Sequence, residues 1–164
     1  KWNKQTEKYE NIWSAINPNH YVENSVIASS GQLAVAWSSF DAEQPSVQAY
    51  NIFKGSAPLW TYQYEESVSL QDIPSSISIT TDGLYFVVGS WGNMTETNPE
   101  VRVWNFNKQQ PIWTLKTSGS VFAVDIATSA TKPGTLDVVA GCKATHANQM
   151  GRGGDLYYSN IKAN

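Results

Sequence analysis

Apolar and polar residues fall into strand-sized blocks along the whole chain. Residues 76–80 (SISIT) alternate strictly, Thr81-Asp82-Gly83 supplies a tight turn, and residues 84–91 (LYFVVGSW) are largely apolar on successive positions. Alternation predicts a strand with one buried face, and Asp-Gly predicts a hairpin because it tolerates positive φ. A continuous apolar run predicts a strand covered on both faces. After a polar loop, residues 101–106 (VRVWNF) and 112–117 (IWTLKT) read as a third and fourth strand around the polar turn 107–110 (NKQQ). The same order is present before them, at residues 24–30, 32–39, 47–52 and 59–64, and begins again after them at residues 120–127, 136–142 and 155–161. Val, Ile, Thr, Tyr and Trp are dense throughout, which favours strand over helix. Only residues 1–13 mix charged and apolar residues without a clear stripe.

Two markers show that this order is a repeat. Trp13, Trp60 and Trp113 each stand in a short apolar and Ser/Thr-containing run, 47 and 53 residues apart. About ten residues upstream of each lies an aromatic followed by a small polar residue: Trp2-Asn3, Tyr50-Asn51 and Trp104-Asn105, with Tyr158-Ser159 as an expected fourth copy. The predicted fold class is therefore all-β, with about three four-stranded antiparallel units at residues 24–64, 76–117 and 120–161. An outer strand near residues 11–17 is in phase to close the last unit.

Composition narrows the classes. Hydrophobic residues make up 41% of the 164-residue chain and charged residues only 15%, the balance of a folded domain. Eleven Lys and Arg against fourteen Asp and Glu, with no block of either sign, argue against a nucleic-acid partner. No apolar run approaches the ~20 residues that span a bilayer as a helix. The single Cys142 has no partner for an internal disulfide or a cysteine-rich zinc site, and reads as a buried structural thiol. The chain begins at Lys1 without a charged-then-apolar leader, which reads as a processed or truncated sequence.

A period of this length with four strands per unit is the mark of a β-propeller blade. The order of elements, most clearly in residues 101–127 (VRVWNFNKQQPIWTLKTSGSVFAVDIA), resembles WD-repeat and quinoprotein-like blades. The resemblance implies that Trp13, Trp60 and Trp113 pack between neighbouring blades, with Trp104 a further structural aromatic. The chain departs from those families in having Asn105 where Asp is frequent and Gln109 where the turn has Gly, and the glycine-histidine pair of WD repeats is missing. No cofactor site is carried across. Closed propellers have roughly four to eight blades, so about three need either further sequence, another polypeptide or a second copy to complete a ring.

Candidate chemistry is expected on the loops before the first and after the second strand of each unit, which emerge on one face. Those loops hold Asn19, His20 and Glu23, then Asp41 and Glu43, then Glu65, Glu66 and Asp72, then Asn93 and Glu96, and then His146, Asn148, Gln149 and Arg152. Several carboxylates arranged around an axis could supply oxygen ligands to Ca²⁺, although no loop shows the regular acidic alternation of a calcium loop. His20 and His146 stand far apart in sequence and form no metal-binding motif, so surface or structural roles outweigh catalysis for both. Gly151, Gly153 and Gly154 around Arg152 lack the Gly-Lys-Ser/Thr ending of a phosphate loop and read as a flexible interstrand connection. Asn93-Met94-Thr95 matches a glycosylation sequon and weighs slightly toward a secreted or lumenal location. Trp37, Phe40 and Trp91 could stack on sugar, but packing between blades is the simpler role.

The reading with most support is a non-enzymatic propeller module for protein–protein interaction or assembly through its loop face, with no cofactor. The alternatives are part of a propeller enzyme, such as a quinoprotein-type oxidoreductase or a calcium-dependent hydrolase, and a sugar-binding propeller.

Overall fold

The structure is a computed structural model that describes residues 2–18, 20–38, 45–64, 72–92, 98–146 and 149–163. Among these residues it is all-β. A small N-terminal hairpin pairs β1 (Trp2–Asn3) with β2 (Lys8–Tyr9). The first large sheet follows as a four-stranded antiparallel meander of β3 (Tyr21–Ile27), β4 (Gln32–Ser38), β5 (Ser46–Asn51) and β6 (Trp60–Gln63). The second repeats it with β7 (Pro74–Ile79), β8 (Tyr85–Ser90), β9 (Val101–Asn105) and β10 (Trp113–Leu115). The third has three strands, β11 (Val121–Thr128), β12 (Thr135–Lys143) and β13 (Gly154–Lys162).

The repeat holds at atomic detail in its turns. Gly31, Gly83 and Gly134, between the first and second strand of each sheet, all take positive φ (86°, 74° and 76°), a conformation glycine adopts without steric penalty. The small polar residue after the third-strand aromatic closes the next turn, because an Asn carboxamide can accept from backbone N–H groups two residues on. Asn51 Oδ1 accepts from Phe53 N at 3.0 Å, Asn105 Oδ1 from Asn107 N at 3.0 Å, and Asn3 Oδ1 from Gln5 N at 2.9 Å.

The three sheets stack face to face. One core lies between the first and second sheets, where Ala34, Val47, Ala49 and Tyr64 meet Phe86, Val88, Trp104 and Phe106. A second core lies between the second and third, where Val87, Val101 and Val103 meet Val121, Ile126, Leu136, Val138 and Ile161. Small residues near the inner strands let the sheets approach: a Cβ added at Gly89 would lie 2.5 Å from Val121 Cγ1 and 2.8 Å from Val124 Cγ1.

Trp60 ties the first interface. Its ring stacks on Phe86 at 5.9 Å between centroids, and its Nε1–H donates to Phe106 O at 2.8 Å. Trp104 is fully buried, stacked on Phe86 at 5.2 Å, with Nε1–H donating to Gln109 O at 3.1 Å. Trp113, paired opposite Val103, packs against the second core.

Two details differ from the sequence reading. Residues 11–17 form no strand. Their Trp13 lies on the first sheet instead of closing the third, stacked on Tyr50 at 5.7 Å and donating from Nε1 to Ile52 O at 3.1 Å. Tyr158 does not occupy the place of Tyr50 and Trp104. Strand register sets Tyr50 opposite Leu33 and Trp104 opposite Phe86, and in the third sheet sets Ile161 opposite Leu136. Period-two alternation then turns Tyr158 to the other face, where it is exposed and donates to Asp137 Oδ1 at 2.8 Å.

Candidate functional site: the loop end of the sheets

The end of the stack reached by the second-to-third-strand connections carries an unusual concentration of buried polar side chains. At the second sheet, Asp72 is the hub. Ser90 Oγ–H donates to Asp72 Oδ1 at 2.5 Å, Asn98 Nδ2–H donates to Oδ2 at 3.3 Å, and Arg102 Nη2 lies 3.6 Å from Oδ2. All four residues are at most 5% exposed. The Arg102 guanidinium also sits over the Tyr64 ring at 4.1 Å, which links the second sheet's third strand to the end of the first sheet. Burial pushes the Tyr64 phenol above its ordinary pKa, against the opposing pull of the Arg102 charge. Arg102 Nη1 and Tyr64 Oη are buried without a hydrogen-bond partner.

A second hub is Glu100, fully buried. Its Oε1 lies 2.9 Å from His146 Nε2, and its Oε2 accepts from Thr117 N at 2.7 Å and Thr117 Oγ1 at 3.3 Å. This carboxylate joins the second sheet to the loop that enters the third and to the loop that leaves β12. Gly92, at φ +70°, makes room for it: an added Cβ would stand 2.6 Å from His146 Cδ2 and 2.7 Å from Glu100 Oε1. Burying a carboxylate is costly unless it is hydrogen-bonded, and Asp72 and Glu100 each have several such partners. The first sheet has a smaller version, in which Ser38 Oγ–H donates to Glu23 Oε1.

The residues expected on an open loop face fare differently. His146 is buried in the Glu100 pair, because the loop after β12 folds back over the second sheet. His20 is half-buried, with Nδ1 3.1 Å from Asn17 Oδ1. Gln149 and Arg152 are exposed. Asn19, Phe40, Asp41, Glu43, Glu65, Glu66, Asn93, Glu96 and Asn148 lie outside the described residues. Trp37 is a core residue of the first sheet, and Trp91 stands beside Phe122 at 6.1 Å. Among the described residues no group of three or more His, Cys, Asp or Glu side chains is gathered as for a metal ion. Cys142 is buried at the end of β12, 3.4 Å from Ser118 Oγ. Sequence reasoning passed over Glu100 and Arg102, although two charges flanking Val101 at the head of a β-branched strand are a legible sign of buried pairing.

The fold and this loop end define an all-β chain of propeller-like blade sheets in an open arrangement. No protein-family model matches the chain, and no curated protein sequence matches it. Among solved structures it is similar to hydrazine synthase of Kuenenia stuttgartiensis, at 9% sequence identity and a TM-score of 0.51, over 88% of this chain. The match covers 40% of that chain, and at this identity the likeness concerns the fold alone. No helix among the described residues is long and apolar enough to cross a membrane.

Proposed function

We propose that the chain is a segment of a WD-repeat-like or quinoprotein-like β-propeller that acts as a non-enzymatic module for protein–protein interaction, through the loop end described above. The observation that carries this reading is the state of the ionisable groups there. Asp72 and Arg102, and Glu100 and His146, are buried in pairs that fasten loops to sheets, which suits a rigid platform. Around them Arg152, Gln149 and Met150 are exposed and free to form the contact surface. A rigid scaffold that displays variable loops is a common way to build a binding face.

Photo-crosslinking tests it. A photoreactive residue placed at Arg152, on the loop end, is expected to capture protein adducts in an extract of the source cells. The same residue at Lys132, at the opposite end of the third sheet, is expected to capture far fewer. Equal capture at both positions, or none at Arg152, refutes the reading. Melting the protein with and without CaCl₂ tests the hydrolase alternative, since a ligand bound only by the folded state raises the melting temperature.

A further inference from the structure

The first and second sheets are both complete four-stranded units, and the loop end of their junction leaves a buried charge short of acceptors. Tyr64 and Arg102 are 1% and 2% exposed there, and the guanidinium lies over the phenol ring at 4.1 Å. Arg102 Nη1 and Tyr64 Oη have no hydrogen-bond partner. A guanidinium stays charged in proteins and carries five N–H donors, so leaving one of its nitrogens without an acceptor at this depth is costly. Asp72 supplies the opposite charge but not the missing bond. Its Oδ2 stands 3.6 Å from Arg102 Nη2, beyond hydrogen-bond distance, and its two oxygens are engaged by Ser90 Oγ–H at 2.5 Å and Asn98 Nδ2–H at 3.3 Å. Glu100, two residues before Arg102, is satisfied on both oxygens, by His146 and by Thr117.

The chemistry of the missing acceptor follows from its surroundings. Because the guanidinium rests on the ring, one acceptor atom reaches Nη1–H and Oη–H together. The side chains around it are almost closed to solvent, so it is small. It meets a permanent positive charge, and hydrogen bonds between a charged donor and an anion are stronger than neutral ones. Burial holds the Tyr64 phenol above its ordinary pKa, which keeps Oη–H a donor in neutral and mildly alkaline solution. Asp72 opposes an anion by charge alone, since it takes neither of the two free donors.

We propose that Arg102 Nη1 and Tyr64 Oη bind a small monovalent anion, of halide size, between the first and second sheets. This goes beyond the module reading and does not rest on it. Binding is weak because Asp72 lies beside the same guanidinium. The bound anion ties β9, which carries Arg102, to the residue that follows β6, so it stabilises the folded state according to its occupancy.

The test is a titration of the full chain with sodium chloride, read from the chloride-35 nuclear magnetic resonance linewidth, with sodium gluconate holding the ionic strength constant. A saturable excess linewidth, displaced by bromide, is expected. Tyr64→Phe keeps the ring and loses one donor, and is expected to weaken chloride binding about fivefold. Asp72→Asn removes the opposing charge and is expected to tighten it about tenfold or more. The sign of the second effect separates charge opposition from a structural role, in which losing the Asp72 carboxylate would weaken binding. Circular dichroism confirms that each variant keeps its β spectrum. If Asp72→Asn does not, bromide anomalous scattering from crystals of the unsubstituted chain decides in its place, by a peak within hydrogen-bond reach of both Nη1 and Oη or by the lack of one. Linewidth that never saturates, equal broadening in the chain and both variants, or weaker binding in Asp72→Asn overturns the site.

Discussion

Trp60→Phe isolates the hydrogen bond that registers the first sheet on the second. Phenylalanine keeps a ring against Phe86 but removes the indole N–H that donates to Phe106 O, at a residue only 2% exposed. A buried carbonyl that loses its donor costs about 1 to 3 kcal/mol, so a loss near 2 kcal/mol is expected. With a urea slope of about 2 kcal/mol/M, the unfolding midpoint falls by about 1 M. Trp60→Ala also removes the stacked ring and belongs at the lower end of the ~3 to 5 kcal/mol seen for aromatic truncation, because Trp60 is only half-buried. Trp13→Phe removes the equivalent bond, of 3.1 Å, at the end of the stack, where less is buried, and is expected to cost about 1 kcal/mol or less. Urea titrations of the three variants, followed by tryptophan fluorescence and far-ultraviolet circular dichroism, measure all three. If Trp60→Phe stays within about 0.5 kcal/mol of the unsubstituted chain while Trp60→Ala shows its full loss, apolar area alone holds the interface and the argument from the bond is wrong.

Other substitutions probe the loop end and the third sheet. His146→Ala removes the imidazole that meets the buried Glu100 carboxylate at 2.9 Å and is expected to cost about 1 to 3 kcal/mol in urea unfolding, more than the loss of an exposed histidine would. Gly92→Ala forces a Cβ into that pair at a positive φ and is expected to cost about 1 to 3 kcal/mol, read from the melting temperature. Tyr64→Phe deletes a buried hydroxyl without a partner while keeping the ring under Arg102, so stability is expected to hold or rise slightly. The same change should delay alkaline unfolding. A phenol whose pKa is raised by folding contributes stability that is complete below its unfolded value near 10 and lost as pH rises through the folded value. The Asp137 carboxyl is held below its ordinary pKa, first by Asn160 and then by Tyr158 and Ser129. It contributes stability above its unfolded pKa that is lost as pH falls. Asn160→Ala should move the Asp137 titration, followed by nuclear magnetic resonance, upward toward the ordinary carboxylate range.

The sheets were legible because their signals are local. Period-two alternation, the Asp82-Gly83 turn and the Asn after Tyr50 and Trp104 are all carried by a few adjacent residues, and each reappears in the structure within a residue or two. What escaped was long-range or depended on parity. Tyr158-Ser159 matches the pattern of Tyr50-Asn51, but the longer strands of the third sheet place it on the opposite face, and only pairing with Leu136 shows that Ile161 holds the position. Residues 11–17 look like an outer strand and carry its tryptophan, yet a strand exists only with a neighbour to bond, and among the described residues none lies beside them. His146 read as a loop histidine because the carboxylate that buries it lies 46 positions away in another sheet.

Gly89 bears on a quantity that no single sheet possesses, the angle through which each unit turns relative to the last. With no side chain there, Val121 and Val124 settle directly on the β8 backbone near the inner strands, while Trp113 and Leu115 hold the outer strands apart. The junction of the second and third units is therefore tapered, narrow at Gly89 and broad at Trp113. The taper of a wedge governs how many fit around a circle, so the contrast between those two side chains bears on the size of any ring that contains this junction.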